Sequence, residues 1–286
     1  MNIEKFKVTG KKKFFLADFD TKDTFGYNSS ESVKNIIKEN ISEISSLQSK
    51  LYADGKTALL IIFQAMDAAG KDSAIQHVMS GINPQGVKVF NFKQPSSEEL
   101  SHDYLWRAVK VLPARGQIAI FNRSYYEDVL VVKVHKLYEN LNIAERCKTE
   151  KTIIKRYKQI KNFEDYLWEN GIVTVKFFLH LSREAQRKRF LERIDNKDKN
   201  WKFSDADIKE RAYWDDYQEA YQSAIEKTAT KNNPWYIIPA DKKWFSRAII
   251  SNILLNVMQE INPQYPVLSM EQEMILEDSK RKLNEQ

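Results

Sequence analysis

The residues most able to do chemistry stand in the stretch Ala65-Met66-Asp67-Ala68-Ala69-Gly70-Lys71-Asp72-Ser73, between a buried-looking apolar run and a segment carrying Ala74 and Val78 at helical spacing. A Gly-Lys pair at a strand-to-helix junction is the kernel of a phosphate-binding loop. Glycine lets backbone N–H groups turn inward, the helix start adds partial positive charge, and lysine reaches the distal phosphates. The strict pattern is relaxed here, with Ala65 at the place of the first glycine and Asp72 where a Ser or Thr hydroxyl would meet Mg²⁺. Asp67 is a carboxylate inside a loop that receives anions, so a divalent cation or a lysine is expected beside it.

A second group is Phe121-Asn122-Arg123-Ser124-Tyr125-Tyr126-Glu127-Asp128, at the end of another apolar run. Kinases with a phosphate loop usually carry Asp at this strand end to organise Mg²⁺. Asn122 is neutral, so the metal is expected to rest mainly on Asp67, with help from Glu127 or Asp128. The third group is a block of charge. Residues 183 to 202 hold eight basic and four acidic side chains, a local excess of +4 out of the chain's +6. Arg189 and Arg193 are four apart, so on a helix they present guanidiniums in a row, as a lid closing over successive phosphates would. His77, His102, His135 and His180 show no metal-ligand spacing, and Cys147 has no neighbouring His or Asn to make it a nucleophile.

These groups need a scaffold, and the chain alternates in a way that supplies one. Runs at Ala58 to Gln64, Val87 to Phe92, Gln117 to Phe121, Val173 to Leu181 and Trp235 to Ile238 read as strands separated by helical patterns. Strand and helix in alternation imply right-handed crossovers and a mainly parallel five-stranded α/β sheet, with ligands beyond the carboxyl ends of the strands. Val33, Ile37, Ile41, Ile44, Leu47 and Leu51 mark an amphipathic helix from about Ser30 to Tyr52. The expected organisation is one domain over 1–286, with an N-terminal extension and helix (1–55), a lid region (183–230) and a C-terminal tail (262–286). The 286 residues include a single Cys, which rules out an internal disulfide framework. No apolar run is long enough for a bilayer and no leader pattern opens the chain, so a cytoplasmic protein without membrane partners is expected.

Met66-Asp67-Ala68-Ala69-Gly70-Lys71-Asp72, Asn83-Pro84-Gln85-Gly86, Leu112-Pro113, Phe121 to Glu127, and Trp201-Lys202-Phe203-Ser204 together resemble the polyphosphate kinase 2 family, from about Phe25 to Ile261. The resemblance implies a thymidylate-kinase-like P-loop fold with a basic helical lid. It implies Mg²⁺-dependent transfer of phosphate from inorganic polyphosphate to nucleotides. Asp67 would then bind metal and orient the acceptor. Ala69, Gly70, Lys71, Asp72, Arg123, Arg189 and Arg193 would hold polyphosphate, and Asn83, Arg107, Glu127 and Asp128 would join Asp67 on the acceptor side. Asn122 departs from the Asp of many members and resembles the subgroup acting on both nucleoside mono- and diphosphates, hence on AMP and ADP, with ATP as the final product.

An acceptor phosphate is already ionised near neutral pH, so no poised general base is needed. The enzymatic alternative is an ATP-dependent nucleoside monophosphate kinase, and the alternative of another class is a basic RNA-binding protein. The second lacks any RNP, KH or zinc-finger signature, so no nucleic-acid partner is expected. The Ser30 to Tyr52 helix and the tail, with Met270, Met274, Ile275 and Leu276, are expected to make a homo-oligomer, a dimer or tetramer.

Overall fold

The computed structural model describes residues 1–141, 143–149 and 151–285; Gln286, the last residue of the expected tail, lies outside them. Six strands form one sheet: β1 (Lys7–Val8), β2 (Ala58–Ala65), β3 (Val87–Asn91), β4 (Ile118–Asn122), β5 (Ile172–His180) and β6 (Trp235–Pro239). Their spatial order is β1-β6-β5-β2-β4-β3. Strands β2 to β6 pair in parallel, and β1 joins the β6 edge antiparallel. The sheet therefore has six strands rather than the expected five. Two residues carry no readable alternation, and only the pairing of Lys7 with Tyr236 and Val8 with Trp235 makes them a strand.

The helices are α1 (Glu31–Asp54), α2 (Lys71–Val78), α3 (Ser97–Leu100), α4 (Trp106–Val109), α5 (Val131–Val134), α6 (Lys151–Glu169), α7 (Arg183–Asp195), α8 (Asp205–Glu210), α9 (Trp214–Thr228), α10 (Lys243–Ile261) and α11 (Met270–Asn284). All eight residues of β2 are buried. Its period of two sends Leu59, Ile61 and Phe63 to a core shared with α1, α2 and α10, and Leu60 and Ile62 to a core shared with α6 and α9. Helices thus cover both faces, which is why this strand reads as unbroken apolar sequence.

The expected helix near Ser30 is α1. Its Val33, Ile44 and Leu51 are buried, and Asn40 Nδ2 donates to Ser251 Oγ of α10 at 3.1 Å. Its apolar stripe is used within the chain. Helix α3 starts with the Ser96/Glu99 capping box that the spacing predicts. The 183–230 region divides into parts. Helix α9 buries Tyr217, Ala220, Tyr221, Ala224 and Ile225 in the second core and belongs to the body. The stretch 196–213 is the outward part, with Trp201 77% exposed. Helix α11 starts with a Ser269/Gln272 capping box yet buries none of its described residues. Among the described residues, no helix is long and apolar enough to cross a membrane.

Candidate active site

The carboxyl ends of β2, β3 and β4 open into one cavity of about 940 Å³. The loop from Asp67 to Gly70 and the first turn of α2 form its floor, Asn91 to Gln94 and Asn122 to Arg123 one wall, and Arg189, Arg193, Lys199, Lys202 and Asp207 the other. Strand ends converge here because β2 lies beside β4, an adjacency that the alternation along the chain leaves open and the sheet pairing decides.

Gly70 adopts φ +100°, a conformation that glycine reaches without strain, and it turns the chain into α2. Ala68 and Arg123 also have positive φ, at 60° and 62°. Two non-glycine residues held this way in one cavity mark a backbone constrained by its surroundings. Lys71 is 9% exposed, and its ammonium donates to Ala65 O at 3.1 Å. Burial lowers its pKa, and Arg123 adds to the effect.

The protein partner of Asp67 is not the expected lysine but an arginine: Arg123 Nη2 donates to its Oδ1 at 2.7 Å. Burial opposes the charge on Arg123, but Glu127 and Asp67 beside it outweigh burial and push its pKa up. Half-buried Glu127 faces Arg123 and Lys71; burial raises its pKa against their attraction. With Asp67, Arg123 and Asp207 it lines a small adjoining space of about 30 Å³. Asn122 Nδ2 donates to Asp72 Oδ1 at 2.7 Å and to Asn91 Oδ1 at 2.8 Å, while its own Oδ1 is buried without a protein partner. Asp at 122 would set a carboxylate against Asp72, so Asn and Asp72 are complementary.

Among the described residues, no group of three or more His, Cys, Asp or Glu side chains is spaced to surround a metal. Beside the phosphate loop the hard oxygen donors are Asp67, Asp72 and Glu127, together with the unpartnered Asn122 Oδ1, while Glu192 and Asp207 of the same cavity are paired with Lys199 and Arg193. Such a sparse set fits Mg²⁺, which is commonly held by one or two carboxylates and completed by substrate phosphates and water.

Three expected site residues lie elsewhere. Asn83 sits just before β3, at the amino ends of the strands, where its Oδ1 caps its own turn by accepting from Gln85 N at 3.0 Å. The cavity opens at the other end of the sheet. Arg107 donates to Lys93 O at 2.9 Å and stacks on Phe92, so it props the loop after β3 from behind. Asp128 turns to Arg156, 3.3 Å away, and burial raises its pKa to about 6 despite that partner. Arg193 lines the cavity and pairs with Asp207 at 3.3 Å. Arg189 also lines it, but its guanidinium is bonded to backbone carbonyls.

The structure also brings in Asn91 at the end of β3, Lys93 and Gln94 after it, and Lys243 after β6. These follow strand carboxyl ends just as the Asp67 loop does, and that rule applied to every strand would have found them. Asp207 carried no comparable signal, because only the fold of 196–213 sets it opposite Arg193.

The profile of the family described as polyphosphate kinase 2 matches residues 27–266. An ADP-polyphosphate phosphotransferase of Rhodopseudomonas palustris is 47% identical over 268 residues, covering 93% of each chain. An AMP/ADP-polyphosphate phosphotransferase of Meiothermus ruber is 41% identical over 268 residues, covering 92% of this chain and 96% of that one. The crystal structure of polyphosphate kinase 2 from Arthrobacter aurescens superposes with a TM-score of 0.86 at 38% identity, covering 96% of both chains. Agreement in sequence, in fold and over nearly the whole length leads to one conclusion: the chain belongs to the polyphosphate kinase 2 family.

Proposed function

We propose that this protein is a polyphosphate:nucleotide phosphotransferase that moves the terminal phosphoryl group of inorganic polyphosphate to AMP and ADP, giving ADP and ATP. The observation that carries the reading is the meeting of Lys71, Arg123 and the turned Asp67–Gly70 loop in one cavity walled by Arg193, Lys199 and Lys202. A site with that many cations suits a polyanion longer than a triphosphate. The names of the Rhodopseudomonas and Meiothermus relatives support the two acceptors. The scaffold is read as a thymidylate-kinase-like P-loop fold, with 196–213 as its lid and the cytoplasm as its location.

In this reading Lys71 and Arg123 neutralise the phosphoryl group in flight, and the N–H groups at the start of α2 receive its oxygens. Arg193, with Lys199 and Lys202, holds the remaining polyphosphate. Asp67 and Glu127 face the acceptor phosphate and fix its attack direction through Arg123. Mg²⁺, held by Asp67 with Asp72, Glu127 or Asn122 Oδ1 near it, would neutralise charge shared between donor and acceptor phosphates. No side chain has to remove a proton, since the attacking oxygen is already anionic.

The test is a nucleotide profile with Mg²⁺ and polyphosphate, giving AMP or ADP separately, and a control of ATP with AMP lacking polyphosphate. ATP formed from both acceptors, and only with polyphosphate, is the expected result. ADP formed in the control alone would instead identify an ATP-dependent monophosphate kinase.

We further propose a homo-oligomer, a dimer or tetramer, joined through the tail. Residues 267–283 leave Val267, Met270, Met274, Ile275, Leu276 and Leu283 between 56% and 95% exposed.

A further inference from the structure

The backbone carbonyls of the phosphate loop are gripped by α7. Gln186 Nε2 donates to Asp67 O at 3.0 Å, and Arg189 Nη1 donates to Ala68 O at 2.9 Å and Ala69 O at 2.8 Å. Arg189 Nη2 donates to Ala240 O at 2.5 Å and Asp241 O at 3.2 Å, which ties the same guanidinium to the end of β6. Three successive loop carbonyls are thus held by α7. Gln186 is 1% exposed and Arg189 9% exposed. Gln186 is itself fixed, since its Oε1 accepts from Arg211 Nη1 at 2.8 Å.

In a trans peptide the C=O of one residue and the N–H of the next point in opposite directions. Holding the carbonyls of residues 67, 68 and 69 toward α7 therefore turns the N–H groups of residues 68, 69 and 70 away from it. Ala69 N closes a turn onto Met66 O at 3.3 Å. This arrangement also accounts for Ala68 at φ 60°, a strain that outside contacts have to sustain. A guanidinium has five N–H donors, and both Arg189 terminal nitrogens are each shared between two carbonyls. A phosphate oxygen could bind them only by displacing a carbonyl.

We infer that Arg189 and Gln186 are positioning residues that lock the carbonyl side of the phosphate loop, so that the first turns of α7 are a fixed part of the site and not a moving lid. On this inference Arg189 does not grip polyphosphate, and Arg193, near the end of α7 and paired with Asp207 of the 196–213 stretch, is left as the α7 arginine for that role. The inference rests on the reading of the cavity as the phosphate site, but its test does not depend on activity.

The experiment is hydrogen exchange on peptides spanning 66–76 of the full-length, substrate-free protein, parent against Arg189→Ala, with kinetics on tripolyphosphate and long polyphosphate. Loss of the brace should speed exchange at the bonded amides of Ala69 and Ala74 tenfold or more. It should also lower kcat for both donors by a similar factor of ten or more, with KM changing less than threefold. Unchanged exchange with a KM rise confined to long polyphosphate would overturn the inference and restore the gripping role. If Arg189→Ala does not fold, Arg189→Lys and Gln186→Met carry the same comparison, and loop exchange equal to the parent in both overturns it. A parent without polyphosphate activity would refute the functional reading, and the exchange data would still decide the brace.

Discussion

At the scale of single residues, Lys71 and Asp128 show how burial gives two ionisable side chains different tasks. The Lys71 ammonium is buried among charged groups of both signs, with Arg123 working against its proton and Asp67, Glu127 and Asp72 working for it. A charge kept there before substrate arrives can stabilise a phosphoryl group without reorganising. Lys71→Ala is expected to lower kcat a hundredfold or more, about 3 kcal/mol of transition-state stabilisation, with a smaller change in KM, in steady-state assays with either acceptor.

Asp128 makes a prediction about stability, because burial raises its pKa from 3.8 to about 6. A carboxyl raised in the folded state binds its proton more tightly there than when unfolded. Its contribution is therefore lost as pH rises from about 4 to about 6, by up to about 3 kcal/mol. Relative to the parent, Asp128→Asn should gain stability over that window and change little above it. Urea unfolding at several pH values reads the difference, and a parallel pair of curves would refute it.

At the scale of elements, the segment after β4 is seated on a buried polar cluster. Lys176 of β5 pairs with Glu164 of α6, and both are essentially inaccessible. Glu164 Oε1 accepts from Tyr125 OH at 2.9 Å and Tyr126 OH at 2.8 Å, and Lys176 Nζ donates to Thr228 O at 3.2 Å. Strand, two helices and the Arg123–Glu127 segment therefore meet at one ion pair. Burial raises the Glu164 pKa and lowers that of Lys176, and their attraction opposes both shifts. Removing one partner leaves an uncompensated charge, so Lys176→Met is expected to cost about 3–5 kcal/mol in denaturant unfolding. Lys176→Met with Glu164→Gln should recover part of that loss; a double variant as unstable as the summed singles would show that the pair is not coupled.

At the scale of the whole molecule, one feature of the chain is unsatisfied within itself. Helix α11 has a capping box and ion pairs from Asp278 to Arg281 and Lys282, but no buried described residue. An isolated helix of this length is marginal in water, so packing against another surface is needed to hold it. Light scattering at micromolar concentration should give a multiple of 33.6 kDa. Truncation after Pro266 should lower that multiple, and a monomeric full-length chain would refute the proposal.

The sequence by itself determined the parallel strands, the Gly-Lys loop, the polar end of β4 and the family, because each is written in local spacing: a run buried on both faces, a glycine at a turn, a cluster at a strand end. It also marked Arg189 and Arg193 as neighbours on one helix, which the structure bears out in α7. What it could not assign was the direction in which charged side chains point. Arg193 turns to the cavity and Asp207, Arg189 to the loop carbonyls, and Arg107 and Asp128 to props behind the site. Asn83 sits at the far end of the sheet although its motif belongs to the family. Two-residue β1 likewise exists only through its pairing with β6. Hydrophobic period and turn chemistry act over a few residues and are legible in order along the chain. The partner of a charge is chosen by whichever opposite group or carbonyl the packed elements bring within about 3 Å, and only the tertiary structure decides that.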